Sequence, residues 1–227
     1  MEDPNYVYFS DNYYNLTCNE IIRLSKNAYK DISTTEDGRI VSAIKEKDVL
    51  EILQRRIVSE HPTWKFDVPK ARDTADFSIN GIWVNLKLTA CKTSDNAFSK
   101  RGFVRSLTGN GNYPKQSNWT TFLNFIKTNS VLKHRSRMSE YHFLVINKKN
   151  DDVLLKSVFD IYRYKTNPSN ILQIDWHREF DFKSHFTPDI DYRKKAISVL
   201  QTIQDSIRQQ MSIMQPYADA DFENIVS

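Results

Sequence analysis

The sequence predicts one α/β domain, a mixed sheet flanked by helices and ending in a long C-terminal helix. Three observations predict it. Stretches of helical period alternate with short strand-like runs, an Asn80-Gly81 pair joins two of those runs, and a helical stripe extends from Asp191 to Met214. The composition agrees: 227 residues with 40% hydrophobic and 26% charged suffice for one core and exclude a disordered or fibrous chain. Residues 1–227 therefore read as a single domain. Its core spans about 42–147, and an elaboration covers about 150–227.

The elements follow in chain order. From Ser42 to Ile57, apolar Ile44, Val49, Ile52, Leu53 and Ile57 recur at helical spacing between charges. The run from Thr63 to Val68 reads as a strand. Asp76 to Leu88 reads as two strands around Asn80-Gly81, the strongest short hairpin signal. Asn118 to Lys127 reads as a helix and Tyr141 to Asn147 as a largely buried strand. One or two more strands fall around Val153–Phe159 and Asn170–Trp176, with Pro168 breaking between them. In the last helix Ile197, Leu200, Ile203, Ile207 and Met211 form one stripe, for core packing or for a dimer contact.

A two-residue turn at Asn80-Gly81 fixes the hairpin register, setting Phe77 opposite Val84 and Asp76 opposite Asn85. Side chains alternate along a strand. Phe77, Ile79, Ile82, Val84, Leu86 and Leu88 then share an apolar face, whereas Asp76, Asn85 and Lys87 share the other. Directly opposed Cβ atoms lie roughly 4.5 to 5.5 Å apart, and the Asp76–Lys87 diagonal is roughly 7 to 8 Å, within reach of a lysine. One carboxylate, one amide oxygen and one ammonium converge. Such a set suits phosphodiester hydrolysis: Asp76 and Asn85 offer hard oxygen to Mg²⁺, and Lys87 is placed to hold water and stabilise developing charge. The alternative reading is a polar outer face on a surface hairpin.

Charge is uneven along the chain. From Lys92 to Lys149 eleven Lys or Arg face only two acids, Asp95 and Glu140, a net of +9; the whole chain is +4, so the remainder sums to −5. Interleaved with Phe98, Phe103, Tyr113, Trp119 and Phe122, this segment has the residue types a polyanion surface needs. Lys92, Lys100, Arg101, Arg105 and Lys115 are candidate phosphate contacts. Gly102, Gly109 and Gly111 permit close approach or simple turns. Asn110, Asn112, Gln116 and Asn118 are candidate base readers. Ser94, Asp95 and Asn96 are placed to position a second water or the nucleic-acid backbone, and His134, Arg135 and Arg137 form a basic run or a solvated helix end. His61, His142, His177 and His185 lack the spacing of a metal or catalytic set.

No basic leader and no run approaching ~20 apolar residues occurs, so a cytoplasmic protein without a membrane partner is expected. Cys18 and Cys91 form no CxxC pair, which argues against a disulfide framework or structural zinc.

The stretch DFSINGIWVNLK, Asp76 to Lys87, resembles the signature of the PD-(D/E)xK nuclease superfamily, which includes most type II restriction endonucleases. That resemblance covers about residues 42–147 and implies a restriction-endonuclease-like αβββαβ core. It assigns catalytic and metal roles to Asp76 and Asn85, with Lys87 as the catalytic lysine. The family often draws another carboxylate from the preceding helix, which here implies Glu46, with Glu51 the second choice. Two positions depart from the pattern: Asn85 stands where an acid is usual, and Ala75 where proline is usual. The implied activity is Mg²⁺-dependent, sequence-specific cleavage of double-stranded DNA by a homodimer, one site per chain. A cognate methyltransferase and an AT-rich palindromic target are also implied. Two rivals stay open: a structure-specific repair or recombination nuclease, and a non-catalytic DNA-binding protein.

Overall fold

The computed structural model describes residues 11–30, 39–69, 74–114, 117–129, 137–182 and 192–219. Lys115, Gln116, His134, Arg135, His185 and the side chain of Ile44 lie outside the described residues. Helices α1 (Asp11–Ser25) and α2 (Arg39–Glu60) come first. Strands β1 (Phe66–Asp67), β2 (Phe77–Ile79), β3 (Ile82–Thr89) and β4 (Asp95–Asn96) follow, then helices α3 (Lys100–Thr108) and α4 (Trp119–Thr128). After a 3-10 turn at Arg137–Ser139 come β5 (Tyr141–Asn147), β6 (Val153–Ser157), β7 (Tyr164–Asn167) and β8 (Ile171–Ile174). Helices α5 (Trp176–Asp181) and α6 (Tyr192–Ala218) complete the order.

The main sheet is mixed, with strand order β1-β2-β3-β5-β6, and only β3 and β5 run parallel. A parallel neighbour requires a crossover, which α3 and α4 provide. β5 is buried on both faces except at its last residue, as a central strand flanked by other strands should be. The hairpin adopts the expected register, Phe77↔Val84 and Ile79↔Ile82. Asn80 (φ 50°) and Gly81 (φ 87°) both lie in the left-handed region, which makes the bend a type I′ turn. Asn80 is also an anchor: its Oδ1 accepts from the Lys65 amide at 2.9 Å and its Nδ2 donates to the Tyr13 hydroxyl at 2.8 Å.

Two cores lie on opposite faces of this sheet. On one, Phe77, Ile79, Ile82, Val84 and Leu86 pack with Leu144, Ile146 and Leu155 against α1 (Tyr14, Cys18, Ile21) and α2 (Val49, Leu53, Ile57). On the other, Phe143, Val145 and Leu154 pack against Phe103, Trp176 and the α6 residues Ala196, Val199 and Ile203. Gly102 is required here. A Cβ on it would come within 2.8 Å of the Tyr141 ring, so only glycine lets α3 approach β5 this closely.

Several expectations need correction. Helices α1 and α3, strand β7 and the second sheet, β4-β8-β7, were not anticipated. The expected strand at Thr63–Val68 pairs over Phe66–Asp67 only. The buried face of α6 is formed by Ala196, Val199, Ile203 and Ser206, while Ile197 (45%) and Met211 (65%) are exposed. The helix packs on β7 and β8, and part of the expected stripe faces outward. The interleaved aromatics also point inward: Phe103, Tyr113 and Phe122 are buried, and Phe122 and Tyr113 form a small core with Val104. Burying ring area against neighbouring rings outweighs leaving it wet for a ligand.

Candidate active site at the β3 edge

β3 outlasts its partner β2. Their pairing stops at Phe77↔Val84, yet β3 continues to Thr89 beside β5, which leaves its other edge without a strand beyond that point. Two amides on the same side of a strand are two residues apart. One amide on this open edge takes a carboxylate, the Leu86 N–H donating to Asp76 Oδ2 at 2.7 Å, and the next, that of Leu88, faces Glu46 without closing a hydrogen bond at ordinary distance. Asp76, from the residue before β2, and Glu46, from α2, thus line the edge that lacks a strand. Lys87 lies between the two amides.

Burial is the first cause acting on each acid here, and it pushes Glu46 and Asp76 above the ordinary carboxylate range. Asp76 has an exposed surface of its own, while dense surrounding protein still limits its hydration. Lys87 counteracts burial at both groups, and the Asp76 charge raises Glu46 further. Asn85 keeps its expected face but lies beside the Tyr141 hydroxyl, which donates to the Thr74 carbonyl at 2.8 Å. The structure therefore brings Glu46, Asp76 and Lys87 together.

Among the described residues, no three His, Cys, Asp or Glu side chains converge closely enough to hold a metal ion unaided. Mg²⁺ is ordinarily bound through one or two carboxylates plus substrate phosphate and water, so the hard-oxygen pair Glu46 and Asp76 fits it.

The expected DNA contacts fall in three groups. Arg101 and Arg105 lie over the Trp83 ring at 5.1 and 4.0 Å, and Arg105 also donates to the Gly81 carbonyl at 2.8 Å. Trp83 shares the face of Asn85 and Lys87, so these guanidinium groups border the same surface. Lys100 turns to the Ser117 carbonyl (2.7 Å) and the Trp119 ring (4.5 Å), and burial lowers its pKa. Lys92 and Asn112 are exposed, while the Asn110 side chain accepts from the Asn112 amide at 2.8 Å in a local turn. Asn118 caps α4 by accepting from the Thr121 amide at 2.8 Å. Arg137 pairs with Asp160 and lies 5.2 Å from the Tyr14 ring centre, so it braces the fold.

No protein-family model, curated protein or solved structure matches the chain. Among the described residues no helix is long and apolar enough to cross a membrane. Cys18 is buried, with its thiol pushed up to about 12 by burial, and both cysteines are free.

Sequence reasoning missed Trp83 and gave Asp95 a different role, to position a second water or the nucleic-acid backbone. Trp83 is the ring on which both arginines rest, and its signal was its place two residues before Asn85 on the polar face. Asp95 is the third carboxylate that feels Lys87, and burial raises its pKa too. It reaches the site through pairing of β4 with β8, Asp95↔Ile174, a contact with no local signature.

Proposed function

We propose that this chain is a Mg²⁺-dependent nuclease of the PD-(D/E)xK type, hydrolysing phosphodiester bonds in double-stranded DNA at specific sites, as type II restriction endonucleases do. The observation that carries this reading is the pair of carboxylates at the open β3 edge around Lys87, Asp76 held by the Leu86 amide at 2.7 Å and Glu46 facing the Leu88 amide. A helix, a hairpin, a helical crossover and a parallel strand surround that site, an order that supports the αβββαβ reading without identifying the fold.

In this reading Glu46 and Asp76 hold the metal, and Asn85 lies beside them as an uncharged donor. Mg²⁺, when bound, supplies Lewis-acid polarisation of the scissile phosphate. Lys87 presents its ammonium to the non-bridging oxygens and to the attacking water, neutralising charge that grows as the new P–O bond forms and the ester oxygen departs. Arg101 and Arg105, pre-arranged on Trp83, bind a neighbouring phosphate and fix the strand's direction across the sheet. A symmetric pair of chains is the simplest way to cut both strands at a palindrome, and the outer turns of α6, with exposed Met211, Ile213, Met214 and Tyr217, are the surface we assign to that contact.

The test is incubation of the protein with phage DNA, plasmid and branched substrates, with and without Mg²⁺, for wild type, Asp76→Ala and Lys87→Ala. Discrete fragments that either substitution diminishes by roughly 100-fold or more support the proposal. Cleavage confined to branched substrates assigns a structure-specific nuclease. Binding without cleavage assigns a non-catalytic DNA-binding protein, the reading that Asn85 in the place of an acid favours.

A further inference from the structure

We propose that Asp95 is a positioning residue for Lys87, supplying from the second sheet the negative charge that Asn85 does not carry; this rests on the nuclease reading above. A half-buried ammonium is costly without an anion nearby. Lys87 closes no hydrogen bond or ion pair at contact distance with a described residue. Asp76 is committed to the Leu86 amide, Glu46 faces that of Leu88, and in the proposed reaction both are committed to the metal. Residue 85, two positions from Lys87 on the same face, carries only an amide, and that amide lies beside Tyr141.

In the β3–β5 register Lys87 stands beside Val145, which shares a core with Ile174 and Trp176, and pairing with Ile174 turns Asp95 toward that same face; three features hold it there. Its backbone is fixed by pairing with Ile174 in β8. The Thr89 hydroxyl accepts from the Cys91 amide at 3.0 Å and lies near the Asp95 carboxylate without closing a hydrogen bond to it at ordinary distance. Trp176, buried at 1% exposure, turns its indole N–H toward the same carboxylate and has no other partner; no hydrogen bond closes at ordinary distance. Lys87 is the strongest of the influences that keep Asp95 ionised against burial. The lysine and the carboxylate attract each other without direct contact, so Lys87 is steered into the cleft yet stays able to follow a phosphate as its charge changes.

The experiment uses the full chain in four forms: wild type, Asp95→Asn, Asp95→Glu, and Asp95→Asn combined with Asn85→Asp. Single-turnover cleavage and DNA KM are read together with melting temperature. Asp95→Asn is expected to lower the cleavage rate roughly 10- to 100-fold with KM and melting temperature little changed. Asp95→Glu retains most of the rate, and the double variant regains most of it by returning the charge to residue 85. A double variant no faster than Asp95→Asn overturns the proposal, as does wild-type cleavage by Asp95→Asn. A second readout needs no cleavage: in protein whose lysines carry ¹³C-dimethyl labels, the Lys87 resonance, assigned with Lys87→Arg, should move in Asp95→Asn and return in the double variant. If it does so while wild type cuts no DNA, the charge pairing stands and the nuclease reading fails. If wild type cuts and the resonance ignores Asp95, the pairing fails and the nuclease reading stands.

Discussion

Glu46, Asp76 and Asp95 are each raised by burial, and that has a measurable sign. A carboxyl raised in the folded state favours folding most below its unfolded value of about 4, and that contribution is lost as pH rises through the raised value. At neutral pH these three groups therefore work against the fold, and under the proposed function Mg²⁺ held by Glu46 and Asp76 would offset part of that cost. The increase in melting temperature on adding Mg²⁺ should be small near pH 4, grow toward pH 7, and shrink in Asp76→Asn. An equal increase at both pH values would remove the carboxylates as the binding groups. The same acids place the acid limb of the cleavage rate above the ordinary carboxylate range, read from a pH–rate profile.

At the scale of elements, the β2–β3 turn governs the site, because one residue of slip would move Asn85 and Lys87 to the apolar face. Gly81 sits at φ 87° with nothing near the place of a Cβ, so an added side chain meets backbone strain rather than a clash. Gly81→Ala is expected to cost about 1–2 kcal/mol in urea unfolding. A neutral or stabilising result would mean the turn relaxes to another type. This hairpin was legible in the sequence because its turn chemistry and its alternation are both local. Helix α1 was legible in principle, since Tyr14, Cys18, Ile21 and Ser25 recur at helical spacing and all are buried, but the polar residues between them obscure the stripe. Helix α3 was hidden by Gly102, a poor helix former whose presence is explained only by the Tyr141 ring above it. The place of Asp95 relative to Lys87 and the inward turn of Phe103, Tyr113 and Phe122 were not legible, because a two-residue strand pairing with residue 174 and rings meeting across α3 and α4 are set by contacts distant in sequence.

At the scale of the molecule, the face of the main sheet that carries β4, β7, β8 and α6 must stay in place for Asp95 to meet Lys87. An ion pair ties it down. Lys156 on β6 donates to Glu179 on α5 at 2.7 Å, each side chain is 2% exposed, and Glu179 also accepts from the Tyr162 and Arg163 amides. Such a pair adds little net stability compared with apolar residues, because desolvating two charges consumes most of their attraction; breaking one side, however, strands the other charge in the interior. Glu179→Ala should therefore destabilise by about 3–5 kcal/mol in chemical unfolding. Lys156→Met combined with Glu179→Gln removes both charges and keeps an acceptor for the two amides, so it should recover most of that loss. A double variant as unstable as Glu179→Ala would show that the charges themselves hold the two layers together, and that the cost does not come from an ammonium left without its partner.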